Sequence, residues 1–153
     1  MRISVVRLLL ILLFSSLSNC DYKPVYSNQN KVDYRIVIKS FTGDKDINNL
    51  ISETLKRNSK ENSNKIINIS LDTKYSKNTL ARNNAGTITD YQANVISKFT
   101  IEKENNSENF TVVEKFNFQK MTDKYEEKNY ERTIKKNLAN SISQKLILRI
   151  SVN

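Results

Sequence analysis

Cys20 is the only cysteine in this 153-residue sequence and its one ready nucleophile. A thiol reacts as its thiolate, so sulfur is the nucleophile most accessible near neutral pH. A lone cysteine makes neither an internal disulfide nor a C-x-x-C metal site. The chain has no histidine, which removes imidazole acid–base catalysis, imidazole-activated nucleophiles and imidazole metal ligation. Two glycines do not build a G-x-G-x-x-G or P-loop phosphate cradle. Carboxylate pairs are left as catalytic candidates, Glu126 with Glu127 and Glu102 with Glu104. The first pair falls at a predicted helix start, where acids complement the dipole. The second lies beside a predicted hairpin loop, where solvated charge is ordinary. These residues predict a protein that is not an enzyme and holds no metal or small-molecule cofactor.

The surroundings of Cys20 give its thiol a role. Arg2 and Arg7 form a positive n-region, Leu8 to Phe14 an apolar run, and Ser15 to Asn19 a short polar approach to the cysteine. The apolar run is far shorter than the roughly 20 residues of a spanning helix. Positive, apolar, then small and polar is the pattern of a secretory signal peptide. "LSNC" resembles the bacterial lipobox, with Leu17 at −3, Ser18 at −2 and Cys20 at +1; Asn19 at −1 departs from the usual Gly, Ala or Ser. The resemblance implies cleavage between Asn19 and Cys20, an S-diacylglycerol on the thiol and an N-acyl group on the new amino terminus. Two or more acyl chains anchor stably, at about 0.8 kcal/mol per buried CH₂, where one binds only marginally. The expected organisation is a leader over 1–19, a lipidated N-terminus and tether over 20–33, and one domain over 34–153.

The formal charge of +9 favours anionic partners in general. It falls to +7 when Arg2 and Arg7 leave with the leader. Lysine and asparagine are spread along the whole chain, as in "RNSKENSNK", and no basic run is interleaved with the aromatics of a nucleic-acid platform. No nucleic-acid partner is expected.

Periodicity supplies the elements. Pro24, Asn28 and Asn30 mark the tether. In "DYRIVIKSF", Tyr34, Ile36 and Ile38 alternate with Arg35, Val37 and Lys39, a strand ended by Phe41 to Asp44. Asp46 is placed to N-cap a helix with Ile47, Leu50, Ile51 and Leu55 on one side. "KIINISLDTKY" puts Ile67, Ile69, Leu71, Thr73 and Tyr75 on one strand face. A polar loop is expected from Ser76 to Gly86. The third strand puts Tyr91, Ala93, Val95, Phe99 and Ile101 on one side, and the fourth Phe110, Val112, Phe116 and Phe118, with Glu114 the exception. From about Asp123, Tyr130, Ile134, Leu138, Ile142 and Leu146 trace a long helix, with "LRISVN" expected to fray. The predicted class is α+β, a two-layer sandwich of order β-α-β-β-β-α. Two helices pack on one face of a four-stranded, mostly antiparallel sheet, and the other face is polar.

With those elements in place, the chain resembles the LPS-assembly lipoprotein LptE family in its alphaproteobacterial form. "CDYKPVY" at 20–26, "LARNNAGTITDYQANVISKFTI" at 80–101 and "FNFQKMTDKYEEKNYERTIKKNLANSISQKLILRI" at 116–150 carry the resemblance. The last includes Glu126, Glu131 and Arg132 ahead of "LANSISQKL". The resemblance implies a lipid-anchored outer-membrane subunit on the periplasmic face that plugs an LptD-like β-barrel and helps deliver lipopolysaccharide to the outer leaflet. Asp21 stands where the family usually has Gly; in some enterobacterial lipoproteins Asp there means inner-membrane retention. Lys74, Lys77 and Arg82, in the loop expected between the second and third strands, are the candidate lipopolysaccharide contacts, because cations pair with lipid phosphates. The alternative is a periplasm-facing lipoprotein module that binds another envelope ligand or protein.

Overall fold

The computed structural model describes residues 32–104 and 106–152. Asn19, Cys20 and Asp21, and with them the leader, lipidation and sorting readings, lie outside the described residues. The elements are β1 (Arg35–Gly43), α1 (Lys45–Asn58), β2 (Ile66–Arg82), β3 (Ile88–Lys103), β4 (Asn106–Gln119) and α2 (Lys124–Val152). The expected order and class hold: one four-stranded sheet in the order β1-β2-β3-β4, with both helices on one face. β1 and β2 are parallel, which requires a crossover, and α1 supplies it. The β2–β3 and β3–β4 pairs are antiparallel.

The core forms where the two periodicities meet. Ile67, Ile69 and Leu71 on β2, Val95 and Phe99 on β3, and Val112 and Phe118 on β4 point inward at alternate positions. Ile47, Ile51 and Leu55 of α1 and Ile134, Leu138, Ile142 and Leu146 of α2 cover them. Two buried hydroxyls interrupt this layer as a matched pair, Thr73 Oγ1 and Ser97 Oγ, 3.1 Å apart at facing register positions. Glu114, the polar exception on the inner side of β4, lies beside α2. There it accepts from Ser141 Oγ at 2.8 Å and pairs with Lys145 Nζ at 2.7 Å.

Four boundaries differ from the sequence expectations. β1 does not stop at Phe41: a register shift between Ile38 and Ser40 lets pairing resume to Gly43 opposite Thr73. The α1 N-cap is Asp44 rather than Asp46. Asp44 is extended and its side chain accepts from the Ile47 amide at 3.0 Å, which leaves Asp46 inside the first turn. β2 continues to Arg82 through the expected loop, because β3 supplies ladder partners as far as Arg82 opposite Ile88, whether or not the side chains are buried. The true turn is Asn83 to Thr87, where Asn83 Oδ1 accepts from the Ala85 and Thr87 amides and Gly86 sits at φ 78°. Finally, α2 does not fray at "LRISVN". Ile150 is buried there, as is Ile147 just before it, and the helix reaches Val152.

Gly43 is required where β1 turns into α1. Its φ is 88°, and a Cβ there would lie 1.9 Å from the Thr73 carbonyl oxygen. That same carbonyl accepts from the Asp44 amide at 2.8 Å. At the other end the packed body reaches back to Val32, which is buried and donates its amide to Asn58 O at 3.1 Å.

Candidate functional site

Among the described residues, nothing covers the sheet face opposite the helices. Along β2 it presents Asn68, Ser70, Asp72, Lys74, Ser76 and Asn78, the positions between the inward ones. Thr100 with Asn109, Gln92 with Asn117 and Thr42 with Asp72 form side-chain hydrogen bonds of 3.0, 3.0 and 2.9 Å across neighbouring strands. Lys39 and Glu102 pair at 2.7 Å on the same face. Apolar side chains interrupt it at Val37, Ile96 and Val113, the last 49% exposed. This is a broad, pre-ordered hydrogen-bonding surface, as the alternation predicts.

The three candidate cations do not share one environment. Lys74 is exposed on this polar face with no ion pair among the described residues. Arg82 closes the β2–β3 turn, donating to Gly86 O at 2.7 Å from an exposed position. Lys77 lies on the opposite, inner side of β2. Its Nζ meets Glu127 Oε1 at 2.7 Å and Glu131 Oε2 at 3.1 Å, and sits 4.3 Å from the Tyr91 ring centroid. None of the three is in a loop between strands, because β2 runs through all of them. The candidate carboxylate pairs are also divided: Glu102 pairs with Lys39 and Glu127 with Lys77.

Lys77 belongs to a continuous half-buried polar chain beneath the first half of α2. Tyr75 Oη donates to Glu131 Oε1 at 2.7 Å, and Lys135 Nζ reaches Asp44 Oδ2 at 2.8 Å while lying 4.4 Å from the Tyr75 ring centroid. Burial, then the Glu131 carboxylate, push the Tyr75 phenol well above its usual range. Burial opposes the charge on Lys77, but Glu127 and Glu131 outweigh it and raise its ammonium. The Lys77 hydrogen bond holds the Glu127 carboxyl below its ordinary value against burial, with help from the Met121 amide. For Asp44 burial is the largest effect, and Lys135 and the Ile47 amide overcome it to lower the carboxyl. Periodicity carried a signal for this chain: Glu127 and Glu131 continue the α2 stripe of Ile134 and Leu138 toward the N-terminus, so acids occupy core-facing positions.

Between α1 and this half of α2 runs a groove of about 640 Å³ whose lining includes Asp46, Lys128, Glu131, Arg132 and Lys135 around the apolar Leu50. Charged side chains of both signs line it, but their aliphatic stems and Leu50 supply most of its surface.

No protein-family model matches this chain, and no curated protein matches it by sequence. Solved structures do match in fold. The rare lipoprotein B from Shewanella oneidensis is 15% identical with a TM-score of 0.55, over 73% of this chain and 92% of that one. A lipoprotein from Caulobacter crescentus CB15 is 10% identical with a TM-score of 0.54, over 80% and 90%. Lipoprotein B from Nitrosomonas europaea is 12% identical with a TM-score of 0.51, over 82% and 90%. This chain therefore shares its fold with bacterial lipoproteins, nearly over their full length.

Proposed function

We propose that this protein is a lipid-anchored envelope lipoprotein. In this reading it acts without catalysis as a subunit of lipopolysaccharide assembly, its body seated in the lumen of an LptD-like outer-membrane β-barrel. The observation that carries the proposal is the sheet face left uncovered among the described residues, a hydrogen-bonding surface on a body whose helices pack on the other face. A barrel lumen is polar, and such a face meets it without burying unsatisfied groups. The shared fold with the rare lipoprotein B of Shewanella oneidensis supports the same reading.

Cys20 carries the acyl groups, and cleavage falls after Asn19. The anchored body stands on the periplasmic side of the outer membrane, with inner-membrane retention through Asp21 as the competing station. Lys74 and Arg82 are the cations left to meet lipopolysaccharide phosphates, since Lys77 is engaged by two carboxylates.

Purification of the acylated protein from detergent-solubilised membranes tests this directly. The expected companion is a large β-barrel protein, and depletion is expected to lower surface lipopolysaccharide. A preparation without any barrel, from cells whose outer membrane is unchanged by depletion, overturns the proposal. Sucrose-gradient separation of the two membranes decides the station.

A further inference from the structure

We infer that the C-terminal turn of α2 is an interfacial membrane contact: Leu148 and Val152 enter the headgroup region of an anionic bilayer beside the lipid anchor. The inference rests on the lipid-anchored reading above. Three observations lead to it. The first is polarity. The described chain begins at Val32 beside the end of α1, through the Val32–Asn58 hydrogen bond. β1, β2 and β4 start from this end, whereas α1, β3 and α2 finish there. The end of α2 is fixed beside the start of β4 by Arg149 on Glu108. The point where the tether joins and the last turn of α2 therefore lie at one pole.

The second is reach. Residues 20–31 separate the anchoring cysteine from this pole, and an extended chain of that length spans roughly 40 Å at most. The opposite pole, with the Asn83 to Thr87 turn, lies farther off by the length of the 17-residue strand β2, about 55 Å at the usual rise per residue. An anchored body keeps the first pole within range of the bilayer.

The third is chemistry. Leu148 is 65% exposed and Val152 83%. They are four apart, so they lie on one helix face, and the sheet leaves that face uncovered. Lys145 and Arg149 flank them. Those two, with Lys60 and Lys65 at the same end, are held by Glu114, Glu108 and Asp33, so the cations open to lipid phosphates are Lys56 and Arg57, in the last turn of α1. Apolar side chains among long cations are the pattern of an interfacial helix, in which the cationic heads stay with lipid phosphates while the stems and apolar groups sink.

The test uses the full processed chain. Acylation blocks the Cys20 sulfur, so Val152→Cys offers one free thiol for an environment-sensitive fluorophore, and Asn84→Cys offers the same at the far pole. Both labelled proteins are reconstituted with phosphatidylglycerol–phosphatidylethanolamine vesicles and floated. The expected result is blue-shifted emission at 152, quenched by bromolipid, with water-like emission at 84. A chain that floats with water-like emission at both positions overturns this inference and leaves the anchor standing. A chain that does not float removes the anchor, and the inference with it. Emission at 152 that is equally blue without vesicles and fades on dilution assigns the patch to a second copy of the chain, which also overturns it.

Discussion

Asp44 and Lys135 lie 91 positions apart in sequence and 2.8 Å apart in space. One oxygen of the Asp44 carboxylate caps α1 through the Ile47 amide, and the other holds the Lys135 ammonium of α2. A single side chain thus starts one helix and pins the other. Asp44→Ala is expected to lose both functions, about 2–3 kcal/mol from the cap and the partly buried ion pair together. Asp44→Asn keeps a capping oxygen and should lose less. Urea midpoints of the two variants measure the difference, and equal losses would remove the capping role.

The same network fixes how stability depends on pH. Asp44 and Glu127 sit below their ordinary values of 3.8 and 4.5. Their contribution is therefore complete above those values and disappears as pH falls through the lower folded ones. Lys77 sits above its ordinary 10.5, so its contribution is present below that value and is lost as pH rises through the folded one. With no histidine, the chain lacks the side chain that ordinarily changes charge near pH 6 to 7. Melting temperature should be flat across neutral pH and fall at both ends; a step near pH 6 to 7 contradicts this assignment.

The sheet was legible because Ile67, Ile69 and Leu71 alternate without a break, and α2 because Ile134, Leu138, Ile142 and Leu146 recur every four residues. What was not legible depends on partners distant in sequence. The outer half of β2 has little apolar pattern, since Lys77 on its inner side is buried by Glu127 and Glu131 rather than by burial of a hydrocarbon. The same cause hid the surroundings of Lys77: a lysine reads as solvated until its carboxylates, 50 and 54 positions away, are known. Lys74 and Arg82 are exposed, and β2 carries both where a loop was expected.

Thr73 and Ser97 test whether the buried hydroxyl pair is matched or merely tolerated. Thr73→Val leaves the Ser97 hydroxyl without its partner in the core and should cost about 1–3 kcal/mol. Adding Ser97→Ala removes the orphaned group, so the double variant should recover part of that loss. Simple additivity in denaturation would show that the two hydroxyls do not satisfy each other.

Gly43 and Gly86 both hold positive φ, yet their surroundings differ. A Cβ at Gly86 meets nothing within 4 Å, so Gly86→Ala should cost only the conformational strain, about 1 kcal/mol. A Cβ at Gly43 collides with the Thr73 carbonyl. Gly43→Ala must therefore displace β1 or the start of α1, at a cost on the order of 3 kcal/mol or more. Thermal unfolding of the two variants separates backbone strain from steric exclusion, and equal losses would mean that β1 gives way easily.

Thr111 probes the surface on which the proposed partnership depends. It is exposed on β4 and points from the uncovered face, opposite Lys98 in the ladder. A tryptophan there replaces an exposed side chain, so the folded body should change by no more than about 0.5 kcal/mol. The same indole projects from a surface that must lie flush against a barrel wall, and close packing at an interface does not tolerate a bulky intrusion. Thr111→Trp should leave acylation and melting temperature intact while sharply reducing recovery of the barrel. Lys136, exposed on α2, offers the matching substitution on the helical layer. If Lys136→Trp abolishes recovery and Thr111→Trp does not, the barrel is held by the helices, and the sheet face is not the contact surface.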